Sequence, residues 1–385
     1  MKVQLFRFLR RPSWLLLWCM AAGMPSWAQD RSSVIASEKH AFRLATLVTG
    51  LENPWSMAFL PDGRMLVTER SGPLRLVGRD FRLDTQPIEG LPESVERGQG
   101  GLFDVALHPQ YAQNGWIYWA YNAPGAGGWG TALARGKLQG QRMSEVQVLF
   151  SMQPKTRSNQ HFGGRIVFDK AGMLYLTLGD RGDKDRAQKL DDHAGSVIRL
   201  HDDGRVPADN PFAQRAGALP EKWTWGNRNM QGAALHPQTG ELWTHEHGPQ
   251  GGDELNVMRP GLNYGWPVIT YGVNYGLGTR IGEGQTKPGM VQPLHVWVPS
   301  IAPSGMAFVS GSQFPQWQGN LLVGALRGQM LVRLVLDGEK VLREERLLQG
   351  RAGRIRDVRM GPDGLVYLLS DGPNGALMRL EPARP

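Results

Sequence analysis

The chain has 385 residues, with 43 lysines and arginines against 35 aspartates and glutamates, and a formal net charge of +8 at pH 7. Its 50 glycines, 26 prolines and 13 tryptophans suit short strands and tight turns and do not suit long helices. The sequence holds no lysine- and arginine-rich run with interleaved aromatic residues, so we expect no nucleic-acid partner.

Residues 1–28 are predicted to be a secretory signal peptide. A positive segment containing Arg10-Arg11 precedes the apolar stretch from Trp14 to Met24, and Ser26-Trp27-Ala28 offers a small-x-small cleavage site. The apolar stretch is too short for a stable anchor, so we expect no membrane span in the mature protein. General secretion is favoured, and twin-arginine export stays open. The only cysteine, Cys19, leaves with the signal, and we expect a periplasmic or secreted protein without a disulfide.

Residues 29–385 are predicted to form one domain, because a sequence repeat runs through them without a linker. A turn that ends in glycine, followed by an apolar strand, recurs six times. The instances are Pro61-Asp62-Gly63 before Met65, Asn114-Gly115 before Trp116, Ala171-Gly172 before Leu174, Thr239-Gly240 before Leu242, Gln318-Gly319 before Leu321 and Pro362-Asp363-Gly364 before Val366. Strands with small residues precede several of these turns, as in Gly305-Met306-Ala307-Phe308. Six repeats predict an all-β, six-bladed β-propeller, and a β-sandwich is the alternative.

Four polar clusters lie beside the predicted strands. They are Gly98–Gly101, Ser158–Arg165, Gly179–Gly182 and the long stretch from Gly226 to Glu254. Each cluster alone is more typical of turn and capping groups than of a catalytic site. Loops from several blades converge at one mouth of a propeller, however, so the four clusters together can form one site.

The segment from His245 to Glu254 raises the question of a metal. His245 and His247 have an H-x-H spacing but no third ligand nearby and no cysteine, which disfavours zinc. Residues 248–254 are rich in oxygen ligands, with backbone carbonyls beside Gly and Pro and two carboxylates, which favours a hard cation such as calcium. The loop does not follow the EF-hand pattern.

Cations gather in the last third of the chain. Arg327 follows one predicted strand, and Arg354 and Arg356 alternate along another, so the latter two share a face. Two guanidinium groups on one face repel each other unless an anion lies between them. Either the pair binds an anionic ligand or it is a solvent-exposed surface feature.

Taken together, these residues resemble the soluble quinoprotein glucose dehydrogenase family, and most closely its aldose sugar dehydrogenase branch, from about Leu51 to Leu380. Six motifs in the family's order carry the resemblance: Gly98-Gln99-Gly100-Gly101-Leu102, His161-Phe162-Gly163-Gly164-Arg165, Trp225-Gly226-Asn227-Arg228-Asn229, Glu246-His247-Gly248-Pro249, Asn263-Tyr264-Gly265-Trp266-Pro267 and Arg354-Ile355-Arg356-Asp357-Val358-Arg359. The family fold is a six-bladed propeller, in agreement with the repeat.

The resemblance implies a pyrroloquinoline quinone (PQQ) cofactor and Ca²⁺ at the mouth of the propeller. It implies that His161 is the general base and Asp180 the acidic residue near it. Gln99, Arg228 and Asn229 match residues around the reactive quinone carbonyl, with Arg228 stabilising its developing charge. Ala325, Arg327, Arg354 and Arg356 match further cofactor contacts, and Thr270 and Tyr275 are weaker candidates. Gly248 and Pro249 match the calcium-binding carbonyls, and Glu254 and Tyr264 match a second calcium site.

The implied activity is oxidation of aldose sugars at C1 to lactones, with electrons passed to an external acceptor. A neutral imidazole suits the proton transfer because its pKa lies near working pH. Gln160 stands where the glucose-specific branch has an acidic residue, which points to broader aldose use. A calcium-dependent lactonase or esterase and a non-catalytic carbohydrate-binding propeller remain alternatives. We expect a monomer or weak dimer.

Overall fold

A computed structural model describes residues 33–383. The predicted signal peptide and its cleavage site lie outside these residues, and the single-domain boundary at residue 29 stays a prediction. The described part contains one short α-helix, α1 (Tyr111–Asn114), and two 3₁₀ helices, Lys184–Gln188 and Pro315–Trp317. No helix within it is long and apolar enough to cross a membrane.

The rest of residues 33–383 is built on β-strands. In chain order they are β1 (Ile35–Ala36), β2 (Ala41–Leu51), β3 (Pro54–Phe59), β4 (Met65–Glu69), β5 (Leu74–Val77), β6 (Leu102–Leu107), β7 (Trp116–Gly125), β8 (Gly128–Gln139), β9 (Arg142–Ser151), β10 (Gly163–Phe168), β11 (Leu174–Leu178), β12 (Val197–Leu200), β13 (Lys222–Thr224), β14 (Met230–Leu235), β15 (Leu242–Glu246), β16 (Asp253–Met258), β17 (His295–Trp297), β18 (Pro303–Phe308), β19 (Leu321–Ala325), β20 (Met330–Asp337), β21 (Lys340–Leu347), β22 (Ile355–Met360), β23 (Val366–Ser370) and β24 (Gly375–Pro382).

These strands form six antiparallel sheets, which we call blades A to F. Blade A is β3-β4-β5, blade B is β6-β7-β8-β9, blade C is β10-β11-β12-β13, blade D is β14-β15-β16-β17, blade E is β18-β19-β20-β21, and blade F is β22-β23-β24-β2-β1. Each of the six strands predicted after a glycine turn is the second strand of a blade. The prediction of an all-β, six-bladed propeller is therefore confirmed, and the β-sandwich alternative is wrong.

The first strands of the blades surround the propeller axis. Each contacts the first strand of the next blade, and β22 of blade F contacts β3 of blade A, so the ring is closed. Glycine makes this close approach possible. A Cβ atom on Gly305 would lie 2.3 Å from Asp357 Oδ1, and one on Gly232 would lie 2.6 Å from the Ser304 carbonyl oxygen. The small residues noted in the sequence are thus required by the packing of one inner strand on the next.

Strand pairing closes the ring, through a strand from the beginning of the described chain. β2 pairs with β24 and completes blade F, whose other strands come from the C-terminal end. Phe42 on β2 is fully buried and packs edge-on against Trp317, with ring centroids 5.7 Å apart. Burial of this side chain joins the two ends of the chain to one core.

We expect Phe42→Ala to lower the free energy of unfolding by about 3–4 kcal/mol, because it removes a buried aromatic ring from the strand that closes the propeller. Denaturant unfolding of the variant and the wild type measures the difference. Arg43→Ala is the matched control, since Arg43 lies beside Phe42 on β2 and is exposed. Equal midpoints for Phe42→Ala and the wild type would contradict a role for β2 in closure.

Candidate active site

The polar clusters singled out in the sequence lie at one end of the ring of blades. Several of the predicted residues precede a first strand or follow a second strand. Gln99 precedes β6 and His161 precedes β10, whereas Asp180 follows β11. First and second strands are antiparallel, so these connections emerge at the same end, which we call the mouth.

Two neighbouring cavities open at the mouth. One, of about 450 Å³, is lined by residues that include His161, Arg228, Gly248 and Pro249. The other, of about 300 Å³, is lined by residues that include Asn229, Arg354 and Arg356. Gln99 and His247 line both, so the two cavities are parts of one site.

His161 and Asp180 form a hydrogen-bonded pair beside the larger cavity. The distance between His161 Nδ1 and Asp180 Oδ1 is 2.6 Å, and both residues are buried. Burial raises the pKa of the Asp180 carboxyl, but the hydrogen bond from His161 and the charge of Arg228 outweigh it, so the pKa is lowered overall. An ionised Asp180 only accepts hydrogen bonds, so Nδ1 carries a proton. The neutral ring then presents an unprotonated Nε2 as its proton acceptor.

Asp180 is held in place by groups other than the histidine. Its Oδ2 accepts a hydrogen bond from Trp266 Nε1 at 2.8 Å, and its Oδ1 accepts one from the Gly182 amide at 2.7 Å. The Arg228 guanidinium lies over the Trp266 ring, 5.3 Å from its centroid. Trp266 therefore lies between the carboxylate of the pair and the guanidinium of Arg228.

Arg228 lies along the wall of the same cavity. Its Nη1 donates to the carbonyls of His247 at 3.0 Å and Gly248 at 2.8 Å. Its Nε is buried and has no hydrogen-bond partner among the described residues. The neighbouring Asn229 side chain accepts from the Gly163 amide at 3.3 Å and from Gln231 Nε2 at 3.2 Å.

Arg354 and Arg356 share a face, as the alternation predicts, and an anion does lie between them. That anion is Asp371, whose Oδ2 is 3.0 Å from Arg354 Nε and 3.5 Å from Arg356 Nη2. The two guanidinium groups still exceed the single carboxylate in charge. Arg356 Nε is buried and has no hydrogen-bond partner within residues 33–383. The pair retains an excess positive charge at the cavity wall, which suits a ligand that carries carboxylates.

Two glutamates face each other beneath the larger cavity. Glu246 on β15 is paired in register with Glu254 on β16, and both line a small cavity of about 10 Å³ together with Tyr264 and Thr270. Burial raises the pKa of Glu246 to about 7 against the opposing effect of hydrogen bonds from Arg228 and Asn227. Burial, with the charge of Glu246, raises the pKa of Glu254 well above its ordinary value. A cavity of this size admits one water or one ion, and a cation there would relieve the repulsion.

The remaining predicted residues are placed unevenly. Tyr275 and Arg327 line the larger cavity, and both are exposed. The Ala325 side chain is fully buried in the hydrophobic core of blade E and lines neither mouth cavity. The Tyr264 hydroxyl donates to the Val257 carbonyl, so its phenol is engaged in the core. Thr270 Oγ1 accepts from the Gly272 amide at 3.1 Å.

The two histidines of the H-x-H pair have different surroundings. His247 Nε2 donates to the Pro303 carbonyl at 2.7 Å, and burial lowers the pKa of His247 to about 4. His245 is fully buried, and neither ring nitrogen has a hydrogen-bond partner in the described part of the chain. No three His, Cys, Asp or Glu side chains of residues 33–383 are grouped as metal ligands.

Three residues of the site were not predicted. Trp266 and Glu246 both lie within motifs identified in the sequence. The neighbouring residues, however, do not indicate that the Trp266 indole donates to a carboxylate or that Glu246 is buried. Asp371 follows β23 as Asp180 follows β11, and this equivalence within the repeat is the signal that could have found it.

Comparison with known proteins finds relatives over most of the chain. The family described as Glucose / Sorbosone dehydrogenase matches residues 51–379. The chain is 42% identical to the aldose sugar dehydrogenase YliI of Escherichia coli, over 91% of this chain and 96% of that protein.

Solved structures show the same similarity. The apo-form of the soluble aldose sugar dehydrogenase from Escherichia coli superposes with a TM-score of 0.86 at 42% identity, covering 89% of this chain and 100% of that one. The PQQ-bound aldose sugar dehydrogenase from Streptomyces coelicolor superposes with a TM-score of 0.72 at 28% identity, covering 88% of this chain and 98% of that one.

The raised pKa of Glu246 predicts how stability depends on pH in the metal-free protein. The folded state holds a proton on Glu246 up to about pH 7, whereas an unfolded glutamate releases it near its ordinary pKa of 4.5. Stability is therefore highest below pH 4.5 as far as this group is concerned, and it falls as the pH rises through 7, by about 3 kcal/mol. Unfolding in the presence of a chelator at several pH values measures the slope.

Glu246→Gln should flatten that slope, because the amide does not titrate. Glu89→Gln is the control, since Glu89 is exposed and pairs only with the exposed Arg142. An unchanged slope in Glu246→Gln would show that other groups produce the pH dependence.

Proposed function

We propose that this chain, which belongs to the glucose/sorbosone dehydrogenase family of oxidoreductases, oxidises aldose sugars at C1 to lactones with PQQ and Ca²⁺ as cofactors. The observation that carries the proposal is the His161–Asp180 pair, whose free Nε2 faces a cavity shared with Arg228 and the Gly248-Pro249 segment. A proton acceptor, a cation and a carbonyl-lined wall thus meet at one opening.

The residues at the mouth fit PQQ, which carries three carboxylates. Arg354 and Arg356 would bind carboxylate groups, since together they exceed the charge of Asp371 and Arg356 Nε has no partner among the described residues. The reactive carbonyl of PQQ would be surrounded by Gln99, Asn229 and Arg228. The edges of the cofactor would contact Arg327, Tyr275 and Thr270. Ala325 contributes through the backbone of its segment at most, because its side chain packs in the core.

Calcium fits two places in the same region. The carbonyls of Gly248 and Pro249 would bind the ion next to the cofactor, since hard cations prefer oxygen ligands. Glu254, with the backbone of Tyr264, would bind a second ion, and the facing Glu246 would add a carboxylate. Two carboxylates that face each other across a cavity large enough for one ion are a donor set that suits such a cation.

The chain's own residues would move the proton and stabilise charge. His161 Nε2 accepts the proton of the anomeric hydroxyl, and Asp180 stabilises the imidazolium that forms, as carboxylates do for catalytic histidines. When bound, PQQ supplies the acceptor for the two electrons of the C1–H bond. Arg228 lies along the wall of this cavity, where its fixed positive charge would favour negative charge that develops during the reaction.

Several further properties belong to the same proposal. Gln160 is exposed on the rim of the larger cavity, and its neutral side chain favours a range of aldoses over glucose alone. We propose an external electron acceptor, export to the periplasm or medium, and a monomer or weak dimer. The name of the Escherichia coli relative supports the aldose substrate class.

Reconstitution tests the activity, and His161→Gln tests its base. Wild-type apoprotein given PQQ and Ca²⁺ should reduce an artificial dye when an aldose is added. We expect His161→Gln to lose turnover by about 100-fold or more, because the amide cannot take the proton, while the cofactor still binds. Dye reduction, normalised to bound PQQ from its visible absorbance, measures the loss.

His201→Gln is the control, because His201 follows β12 and lies outside both mouth cavities. If His201→Gln also lost turnover, the loss in His161→Gln would not be specific to the proposed base. Wild-type protein that reduces no dye with any of a panel of aldoses would refute the proposed function. Ester or lactone hydrolysis without PQQ would favour the hydrolase alternative.

Arg356→Ala should weaken PQQ binding by about tenfold or more, since it removes a charge-assisted hydrogen-bond donor from a buried position. Titration of apoprotein with PQQ, followed by tryptophan fluorescence, gives the dissociation constant. Arg142→Ala, an exposed arginine on β9, should bind PQQ like the wild type. Unchanged affinity in Arg356→Ala would place the cofactor's carboxylates elsewhere.

A further inference from the structure

The backbone around His161 has an unusual conformation. His161 has φ +51°, in the left-handed region that residues with a side chain seldom adopt. The following Gly163 and Gly164 also have positive φ, at +67° and +101°. The imidazole reaches the cavity only while this segment keeps its shape, so something must hold it.

The carbonyls of residues 158–162 show what holds it. Every one of the five accepts a hydrogen bond from the protein. The Gln99 amide donates to the Asn159 carbonyl, and Thr131 Oγ1 donates to the Phe162 carbonyl. The other three, those of Ser158, Gln160 and His161, all accept from Arg181, the first two from its guanidinium and the third from its backbone amide. Trp129 Nε1 also donates to the Ser158 carbonyl, at 2.9 Å.

Arg181 is itself an exceptional residue. It directly follows Asp180, has φ +61°, and is 1% exposed. Its guanidinium lies 3.5 Å from the centroid of the Phe162 ring. No carboxylate of the described residues forms an ion pair with it. Burial and the charge of Arg186 outweigh the opposing charge of Asp180 and lower the pKa of Arg181 to about 9, which still leaves it charged at neutral pH.

A buried guanidinium that contacts no carboxylate directly is costly for stability, and a neutral core would avoid it. What the charge gains here is strong hydrogen bonds to the carbonyls of Ser158 and Gln160, which precede His161, plus a cation–π contact with Phe162. Because Arg181 follows Asp180 in the chain, the same turn carries both the partner of the imidazole and the group that fixes its backbone.

We infer that Arg181 is a positioning residue. It holds the backbone of residues 158–162 so that His161 keeps its hydrogen bond to Asp180 and turns Nε2 towards the cavity. This inference rests on the proposed function, in which His161 is the base. Arg181 lines neither mouth cavity, so it acts through His161 and not on the substrate or cofactor.

Two variants separate the parts of this role. Arg181→Lys keeps the charge and the methylene groups over Phe162 but loses the planar fork that reaches two carbonyls. Arg181→Met also loses the charge. Arg199→Lys is the matched control, because Arg199 is a buried arginine that stacks on an aromatic ring, Trp223 at 4.8 Å, away from the mouth.

The first measurement is hydrogen exchange of the apoprotein, followed by mass spectrometry, which needs neither cofactor nor sugar. In Arg181→Lys, peptides covering residues 158–163 should exchange about tenfold faster or more, since their carbonyl anchors are lost, while peptides from blades E and F stay unchanged. Arg199→Lys should leave residues 158–163 as in the wild type.

The second measurement is steady-state dye reduction by the reconstituted enzyme. We expect kcat of Arg181→Lys to fall by about 10- to 100-fold, as misplacement of a catalytic group by a fraction of an ångström does, with KM and PQQ affinity within about threefold of wild type. Arg199→Lys should keep the wild-type kcat. If Arg181→Met fails to fold, the comparison of Arg181→Lys with Arg199→Lys still tests the inference.

Normal exchange at 158–163, or a normal kcat, in folded Arg181→Lys would overturn the inference. Faster exchange in all blades would also overturn it, as would a loss of activity that is fully explained by lower PQQ occupancy. Either result would indicate a general structural role for Arg181. Two results together would separate the inference from the proposed function: the wild type oxidises no aldose, and Arg181→Lys speeds exchange in residues 158–163 alone. These results would refute the proposed function but support the role of Arg181 in fixing the backbone.

Discussion

Four buried or partly buried charges at the propeller axis hold the blades together beneath the site. Asp104 on β6 and Asp357 on β22 alternate with Arg165 on β10 and Arg359 on β22. Arg165 Nη1 is 3.4 Å from Asp104 and 2.9 Å from Asp357, and Arg359 is 2.6 Å and 3.0 Å from the same two carboxylates. Such charges are stable in the interior only because each meets two of opposite sign, and removal of one would strand its partners. The carboxylates also accept the amides of Ile166 and Met57, so blades A, B, C and F meet in one network.

This network forms the floor of the mouth. The Arg165 guanidinium lies over the Trp55 ring, 4.1 Å from its centroid, and its Nε donates to the Gln231 carbonyl at 2.7 Å. Trp55 and Gln231 both line the smaller cavity. Because the four axial charges balance, the positive charge of Arg354 and Arg356 is not cancelled from below. Within residues 33–383, Asp371 is the carboxylate that pairs with them, and the excess charge lines the opening, where an anionic ligand can bind it.

The blade count was predictable because it depends on short-range signals, a glycine turn and an apolar strand of period two, that recur within each blade. The loops of the site were predictable for the same reason, and the resemblance assigned roles to residues such as His161 and Arg228. What escaped prediction depends on pairs far apart in the chain. Trp266 donates to a carboxylate 86 residues earlier, and Arg359 meets Asp104 across 255 residues. Arg181 looks like a turn residue in Gly179–Gly182, and only the folded chain shows its guanidinium turned inward.

The same end of every blade carries an irregularity that explains how one strand serves both the site and the axis. The register between first and second strands shifts near the mouth in all six blades, for example between Gly163 and Ile166 and between Ile355 and Asp357. Ile355 pairs with Ser370 and Asp357 pairs with Leu369, so Arg356 is the extra, unpaired residue of the bulge. Arg356 lines the smaller cavity, whereas Asp357 pairs with Arg165 at the axis. Alternation alone correctly placed Arg354 and Arg356 on one face. It could not reveal that the next residue, Asp357, pairs with Arg165 and Arg359 and so joins neighbouring blades at the axis.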